Sequence, residues 1–309
     1  MKPEYITKLK QAKQNGSLIP VVELAARNRW PFWIVSNKQI RDYLIEDMTY
    51  HRFRRKYKDL IANAPADDCK GRKIEKKIWI CWLQGMENAP DLVKACYKSV
   101  QKHFDDYEIN LVTSADLRDY IDIPAYILEK WEKGIIPNTQ FTDYIRTALL
   151  VKHGGIWLDA TVLCTGRDLL ERVISNDFFV YQMIMGGSGR IVCSSWLIAS
   201  CTGNPILALA LRILDEFWKT ENGIPMYLFY HVILTICKER YSNVWERMPV
   251  YDNVTPHLMV RELNKRFDKD RFSELCRLSS FHKLNYKLEF SAREDTLYSM
   301  LVKGGPEEA

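Results

Sequence analysis

The chain has 309 residues, 47% hydrophobic and 27% charged, with a formal net charge of +5. That balance supports a sizeable core and excludes a disordered, collagen-like or disulfide-scaffold chain. The modest positive charge favours acidic ligands or an anionic membrane surface without demanding nucleic acid. Eight scattered cysteines form no CxxC pair, so they read as reduced structural thiols, and a cytoplasmic setting is expected. The first residues, MKPEYITKLKQAKQNG, lack an apolar h-region, and no stretch approaches the ~18 apolar residues of a membrane span. Neither a secretion signal nor a transmembrane helix is expected.

Residues 1–72 read as an amino-terminal helical region. Ser36 and Gln39 form a capping-box pattern, and Ile40, Tyr43, Leu44, Tyr57, Leu60 and Ile61 recur at roughly helical spacing. The run from His51 to Lys58 carries Arg52, Arg54, Arg55 and Lys56, broken by Phe53 and Tyr57. It reads either as a solvated helix face or as a contact to acidic lipid headgroups. Strands then alternate with helices over 73–302, which is the arithmetic of an α/β domain, and 303–309 reads as a frayed tail. The strand IWICWL from Ile78 precedes a helix opened at Pro90-Asp91 and the strand YEINLVT. Helices follow at about 115–120 and 125–134, then a helix ending at Gly154-Gly155 that feeds a strand running to Val162. Further on, strands are predicted at 178–182 and 191–198, and helices at 204–218, 226–240 and 258–267.

The stretch FTDYIRTALLVKHGGIWLDATV, from Phe141 to Val162, carries the chemistry. Alternation puts Trp157, Asp159 and Thr161 on one face of the strand, and a three-residue spacing puts Asp143 and Arg146 side by side on the helix. Carboxylates are rare in core strands unless used. In open α/β sheets, ligands bind at the carboxyl ends of strands, where these two polar pairs converge. Asp159 with the Thr161 hydroxyl suits a divalent cation bridged to a diphosphate. The same carboxylate equally suits capping a turn or pairing with a buried cation.

Those residues resemble the DxD glycosyltransferases, in particular the capsular polysaccharide synthesis proteins, relatives of mannosyltransferases and glucosylating toxins. The matching pattern is Thr142-Asp143-Tyr144-Ile145-Arg146 followed by Gly154-Gly155-Ile156-Trp157-Leu158-Asp159-Ala160-Thr161, with Thr161 in place of a second acid. The resemblance implies a GT-A type, Rossmann-like fold that binds a nucleotide-sugar donor, transfer with retention, and a Mn2+ or Mg2+ cofactor. It implies that Asp159, Asp143 and Arg146 are catalytic or hold the donor sugar, and that Trp82 stacks on the base, although a bare tryptophan there also reads as core. Asp159, Thr161 and His282 would hold the metal, and Lys283 and Lys287 would neutralise the leaving diphosphate. Taken alone, His282 reads as a surface or capping histidine. Tyr230 and His231, in a helix otherwise apolar at helical spacing, would form an acceptor-side wall.

The expected partners are a nucleotide-diphosphate sugar and a growing glycan of capsular, exopolysaccharide or lipopolysaccharide type. Such acceptors are usually lipid-linked, which would place the enzyme peripherally at the inner membrane face. Loss of the second acid leaves a competing reading, a nucleotide-sugar-binding protein without turnover. A nucleic-acid binder using residues 51–58 lacks any RRM, KH or helix-turn-helix signature, and a polysaccharide hydrolase needs two opposed carboxylates at a set separation.

Overall fold

The computed structural model describes residues 38–183 and 188–304. Ser36 of the capping-box pattern and all but the first two residues of the expected tail lie outside them. Helices α1 (Lys38–Lys56) and α2 (Lys58–Ala62) lead to strand β1 (Lys77–Cys81), α3 (Asp91–His103) and β2 (Glu108–Val112). Two short helices, α4 (Leu117–Tyr120) and α5 (Ala125–Glu132), precede α6 (Asn138–His153), which runs straight into β3 (Gly155–Leu158). Then come β4 (Val162–Cys164), α7 (Asp168–Val173), β5 (Phe178–Gln182) and β6 (Cys193–Ser200). The helices α8 (Pro205–Thr220), α9 (Phe229–Arg240) and α10 (Ser242–Glu246) follow. The described chain closes with α11 (Lys269–Leu278), β7 (Phe281–Lys283) and α12 (Leu297–Lys303).

A mixed sheet of order β2-β1-β3-β6-β5 forms the centre. Strand β1 pairs in parallel with both β2 and β3, while β6 runs against β3 and β5. From β1 the chain moves outward to β2, then crosses back to β3 on the other side. This reversal falls at the carboxyl ends of β1 and β3, the position where open α/β sheets receive ligands. Every residue of β3 and β6 is buried, as expected of strands at the centre of a sheet covered on both faces.

Helix α6 is held by Phe141, Tyr144, Ile145, Leu149 and Leu150, each at most 3% exposed. Truncating one such leucine to alanine costs about 2–5 kcal/mol. Its end is built on two glycines with φ of 65° and 95°. A Cβ on Gly154 would sit 2.8 Å from the Thr202 amide nitrogen, and one on Gly155 2.6 Å from the Lys77 carbonyl oxygen. No side chain fits, so helix passes to strand without a loop. The Trp79 indole N–H donates to the Gly154 carbonyl at 2.9 Å and ties this junction to β1. At α8 the sequence signal is direct: Asn204 accepts from the Ile206 and Leu207 amides ahead of Pro205.

Three elements depart from expectation. The strand predicted through Val162 breaks after Leu158, where a turn closed by the Val162 amide on the Asp159 carbonyl sends β4 into a separate two-stranded sheet with β7. The helix predicted over 258–267 is a pair of 3-10 turns, Thr255–His257 and Met259–Arg261. Regular helix begins only at α11, where the Asp268 carboxylate caps the Arg271 amide. Lastly, the aromatic residues that break the basic run of α1 face the core, while most of its basic side chains stay at the surface. Tyr50, Phe53 and Tyr57 are buried, and the Phe53 ring lies 5.7 Å from Phe217. Arg52 and Lys56 pair with Glu221 at 3.1 and 2.7 Å, and Arg54 with Glu239 at 3.4 Å. His51, Arg54, Arg55, Lys56 and Lys58 are all exposed.

Candidate active site

Asp159 sits where β3 ends, its amide held by the Trp196 carbonyl at 2.8 Å. Its Oδ1 accepts from the Trp157 indole at 3.0 Å and lies 3.4 Å from Arg146 Nη2, while its Oδ2 lies 3.0 Å from Lys283 Nζ. One turn separates Asp143 from Arg146 on α6, and their side chains meet at 3.3 Å. The guanidinium is fixed on every edge. Nη1 donates to the Ser195 carbonyl and hydroxyl at 2.5 and 2.9 Å, and Nε to the Thr142 carbonyl at 3.3 Å. The group lies 4.9 Å from the centroid of the Trp157 ring. A planar fork with five donors can do this, and an ammonium cannot.

Lys283 enters from β7, which pairs with β4 so that Lys283 stands opposite Val162. Its ammonium also donates to the Thr161 hydroxyl at 2.5 Å. Asp143, Arg146, Asp159, Thr161 and Lys283 therefore form one network, in which the first four are the two polar pairs expected to converge. The two carboxyls are driven apart. Burial, with Asp159 adding to it and Arg146 opposing it, pushes Asp143 up to about 7. Burial also acts to raise Asp159, but Lys283 and Arg146 outweigh it and hold that carboxyl below its ordinary value. Near neutral pH one acid is ionised and the other is close to its titration point, a pairing that suits one group to balance charge and the other to donate a hydrogen bond.

The remaining expected residues lie around this network. Trp82 follows β1, half-buried, its indole N–H without a partner among the described residues and its ring 5.5 Å from Tyr286. Exposed Lys287 lies 5.8 Å over that tyrosine. Tyr230 is fully buried and shares a hydrogen bond of 2.7 Å with Thr147, which in turn donates to the Asp143 carbonyl. It braces α6 through Thr147, close to Asp143 and Arg146. His231 is half-buried with Nδ1 unpartnered among the described residues. Burial, assisted by Arg146, lowers its pKa to about 4, so the ring is neutral.

His282 is not brought to Asp159. Alternation along β7 turns it away from Lys283, and its Nε2 lies 3.1 Å from the Thr165 hydroxyl. Burial drives its pKa to about 4, so it carries no charge to offer a diphosphate. Asp159 and Thr161 do converge on one cation position, and the Lys283 ammonium serves it. Among the described residues no group of three or more His, Cys, Asp and Glu side chains is placed to hold a metal. Asp159 and Thr161 are the oxygen donors at this position, and Asp159 already faces Arg146 and Lys283.

The sequence gives no sign of Ser195, whose carbonyl and hydroxyl orient Arg146, or of Tyr286 against Trp82. Trp157 was within reach, since its two-residue spacing from Asp159 places indole and carboxylate on one face.

Fold and site together define an α/β protein with a largely buried network of paired charges at a strand-order reversal. Residues 29–301 match the capsular polysaccharide synthesis protein family, and the chain belongs to it. No curated protein sequence matches the chain. Among solved structures it is similar to one described as PaToxG glycosyltransferase, with a TM-score of 0.35 and 15% identity over 87% of this chain and 90% of that one, a likeness too distant to bear on function.

Proposed function

We propose that this protein is a glycosyltransferase that moves a hexosyl group from a nucleotide-diphosphate sugar to a glycan acceptor during capsular polysaccharide synthesis, with retention of configuration. The observation that carries this reading is Asp159, held ionised between Arg146 and Lys283 at the carboxyl end of β3, in a chain of the capsular family. Glycosyl transfer builds positive charge on the sugar and negative charge on the departing diphosphate, so it needs fixed cations on one side and fixed acceptors on the other. Lys283 takes the diphosphate side. Asp159 and Asp143 take the sugar hydroxyls, the latter donating when protonated, and Arg146 keeps both carboxyls in place. Trp82, with its free indole N–H and Tyr286 at its edge, receives the base. If the leaving phosphate oxygen takes the acceptor proton on the same face, no strong protein base is required, in keeping with a neutral His231 nearby.

The test is a panel of nucleotide sugars scored by thermal stabilisation and slow donor hydrolysis, in chelator and in manganese, beside Asp159→Ala. A true donor at ~100 times its dissociation constant stabilises the fold by about 2.7 kcal/mol. One donor should stabilise and hydrolyse in chelator with Asp159 intact. A donor that binds without turnover across a range of glycan acceptors would make this a binding protein, and failure of every donor to bind would overturn the site.

A further inference from the structure

A cavity lies apart from the Asp159 network. It encloses about 590 Å³ between α3, β4, the start of α11 and the end of α12, a volume ordinary for a small-molecule site. Leu163, Phe267, Phe272, Leu301 and Val302 line its apolar interior. Lys94, Lys98 and Lys102 recur every fourth residue along α3 and so share one face, while Lys269 and Lys303 approach from the opposite wall. Asp91 is the one acid among the described lining residues. Lys94, Lys98 and Lys269 make no ion pair among the described residues, in contrast with the cations that α1 spends on Glu221 and Glu239.

Hydroxyls in the cavity are already engaged. Ser99 donates to the Cys96 carbonyl and accepts from the Cys164 amide, Ser273 donates to the Lys269 carbonyl, and Thr165 donates to the Ser279 carbonyl and meets His282. Little is left to read the edge of a base or a sugar. Strong positive charge around an apolar, hydroxyl-silent interior complements one kind of molecule, an anionic head on an apolar body.

We propose that this cavity binds a phosphate-headed lipid, its phosphate among the lysines of α3 and α11 and its first acyl carbons along the Leu163, Phe272 and Leu301 wall. No described helix is long and apolar enough to cross a membrane. The site is separate from the Asp159 network and stands whether or not that network transfers sugar.

The experiment uses the full chain with soluble dihexanoyl phosphatidic acid, dihexanoyl phosphatidylcholine and inorganic phosphate, read by calorimetry, and repeats the lipid arm on vesicles. Three variants are compared: Lys94→Glu with Lys98→Glu, Ala95→Phe to fill the cavity without changing charge, and Arg55→Glu with Lys58→Glu as an equal charge change elsewhere. Phosphatidic acid should bind, should weaken by at least about tenfold in the first variant and in the filled cavity, and should be unaffected in the third. Phosphatidylcholine should not bind. Equal weakening by both charge variants with no effect of Ala95→Phe would reduce the finding to general surface charge and overturn the proposal. So would inorganic phosphate binding as tightly as the lipid, which would make the site one for a free anion. Should Ala95→Phe not fold, the contrast between the two charge variants decides alone.

Discussion

The network at Asp159 and the cavity beside α3 both concentrate charge, yet they use it in opposite ways. At Asp159 every charge has a protein partner, with Arg146 5% exposed and bonded on each edge. Beside α3 the lysines stand against water, three without an acid among the described residues. The first arrangement is dear to build, because desolvated charges must be matched, and it yields fixed geometry, which charge stabilisation of a transition state requires. The second costs the fold little and leaves the positive charge for a ligand. Fixed charge suits chemistry, and unmatched charge suits capture.

The contrast is most exposed to Arg146→Met. Removing this cation leaves Asp143 and Asp159 desolvated without their shared partner, and breaking such a buried pair costs about 3–5 kcal/mol, visible as a lower denaturant midpoint. A loss below about 1 kcal/mol would mean that the network is not preorganised. Next in size is Lys283→Met, for which we expect a fall in kcat of about 10²–10³ with the fold retained. Adding Thr161→Asp to that variant should make activity respond to manganese, because a second acid then replaces the ammonium. Indifference of the double variant to metal would break the assignment of Lys283 as the built-in cation.

The pH dependence is smaller and its sign is set by burial. His282 is held neutral in the fold, with its pKa lowered from 6.5 to about 4, so the unfolded chain binds the extra proton first on acidification. Its contribution is present above about pH 6.5 and is lost as pH falls towards 4, amounting to roughly 2 kcal/mol by pH 5. Asp143 works against this. Its pKa is raised from 3.8 to about 7, so its contribution is present at low pH and fades as pH rises through that interval. Relative to the wild type, acidification from pH 7.5 to 5 should therefore shift the urea midpoint upward in His282→Gln, which removes a destabilising slope, and downward in Asp143→Asn, which removes the opposing one. The smallest expected effect is that of Lys94→Glu with Lys98→Glu on stability, within about 0.5 kcal/mol per site. A larger loss would show that these lysines are structural.

Much of the site was legible because it lies on strongly patterned elements. The spacing of Asp143 and Arg146 and the double glycine each have one physical meaning, and the structure realises both. The break after Leu158 was not legible. Ile156, Leu158, Ala160 and Val162 continue the apolar alternation straight through it, and what turns the chain is pairing of β4 with β7, more than a hundred residues away. For the same reason the meeting of Lys283 with Asp159, and the turning away of His282, depend on a register that local pattern cannot state. The helix expected over 258–267 shows the converse error, since apolar spacing there serves packing of 3-10 turns around Met259 and Leu263, both fully buried, while the cap at Asp268 marked the true start.

The two halves of the charge network also differ in when they come to exist. Asp143, Arg146 and Asp159 lie on one helix and the strand it enters, joined at Gly154-Gly155, so a nascent chain can assemble them from neighbouring contacts with little loop to close. Thr161 and Lys283 are 122 residues apart. At translation rates of about 5–20 residues per second the ammonium is made roughly 6–24 s after the hydroxyl it will meet. Over that interval the emerging domain carries its acid without the second counter-charge, so β7 completes the charge network only well after the strand that bears Asp159 has been made.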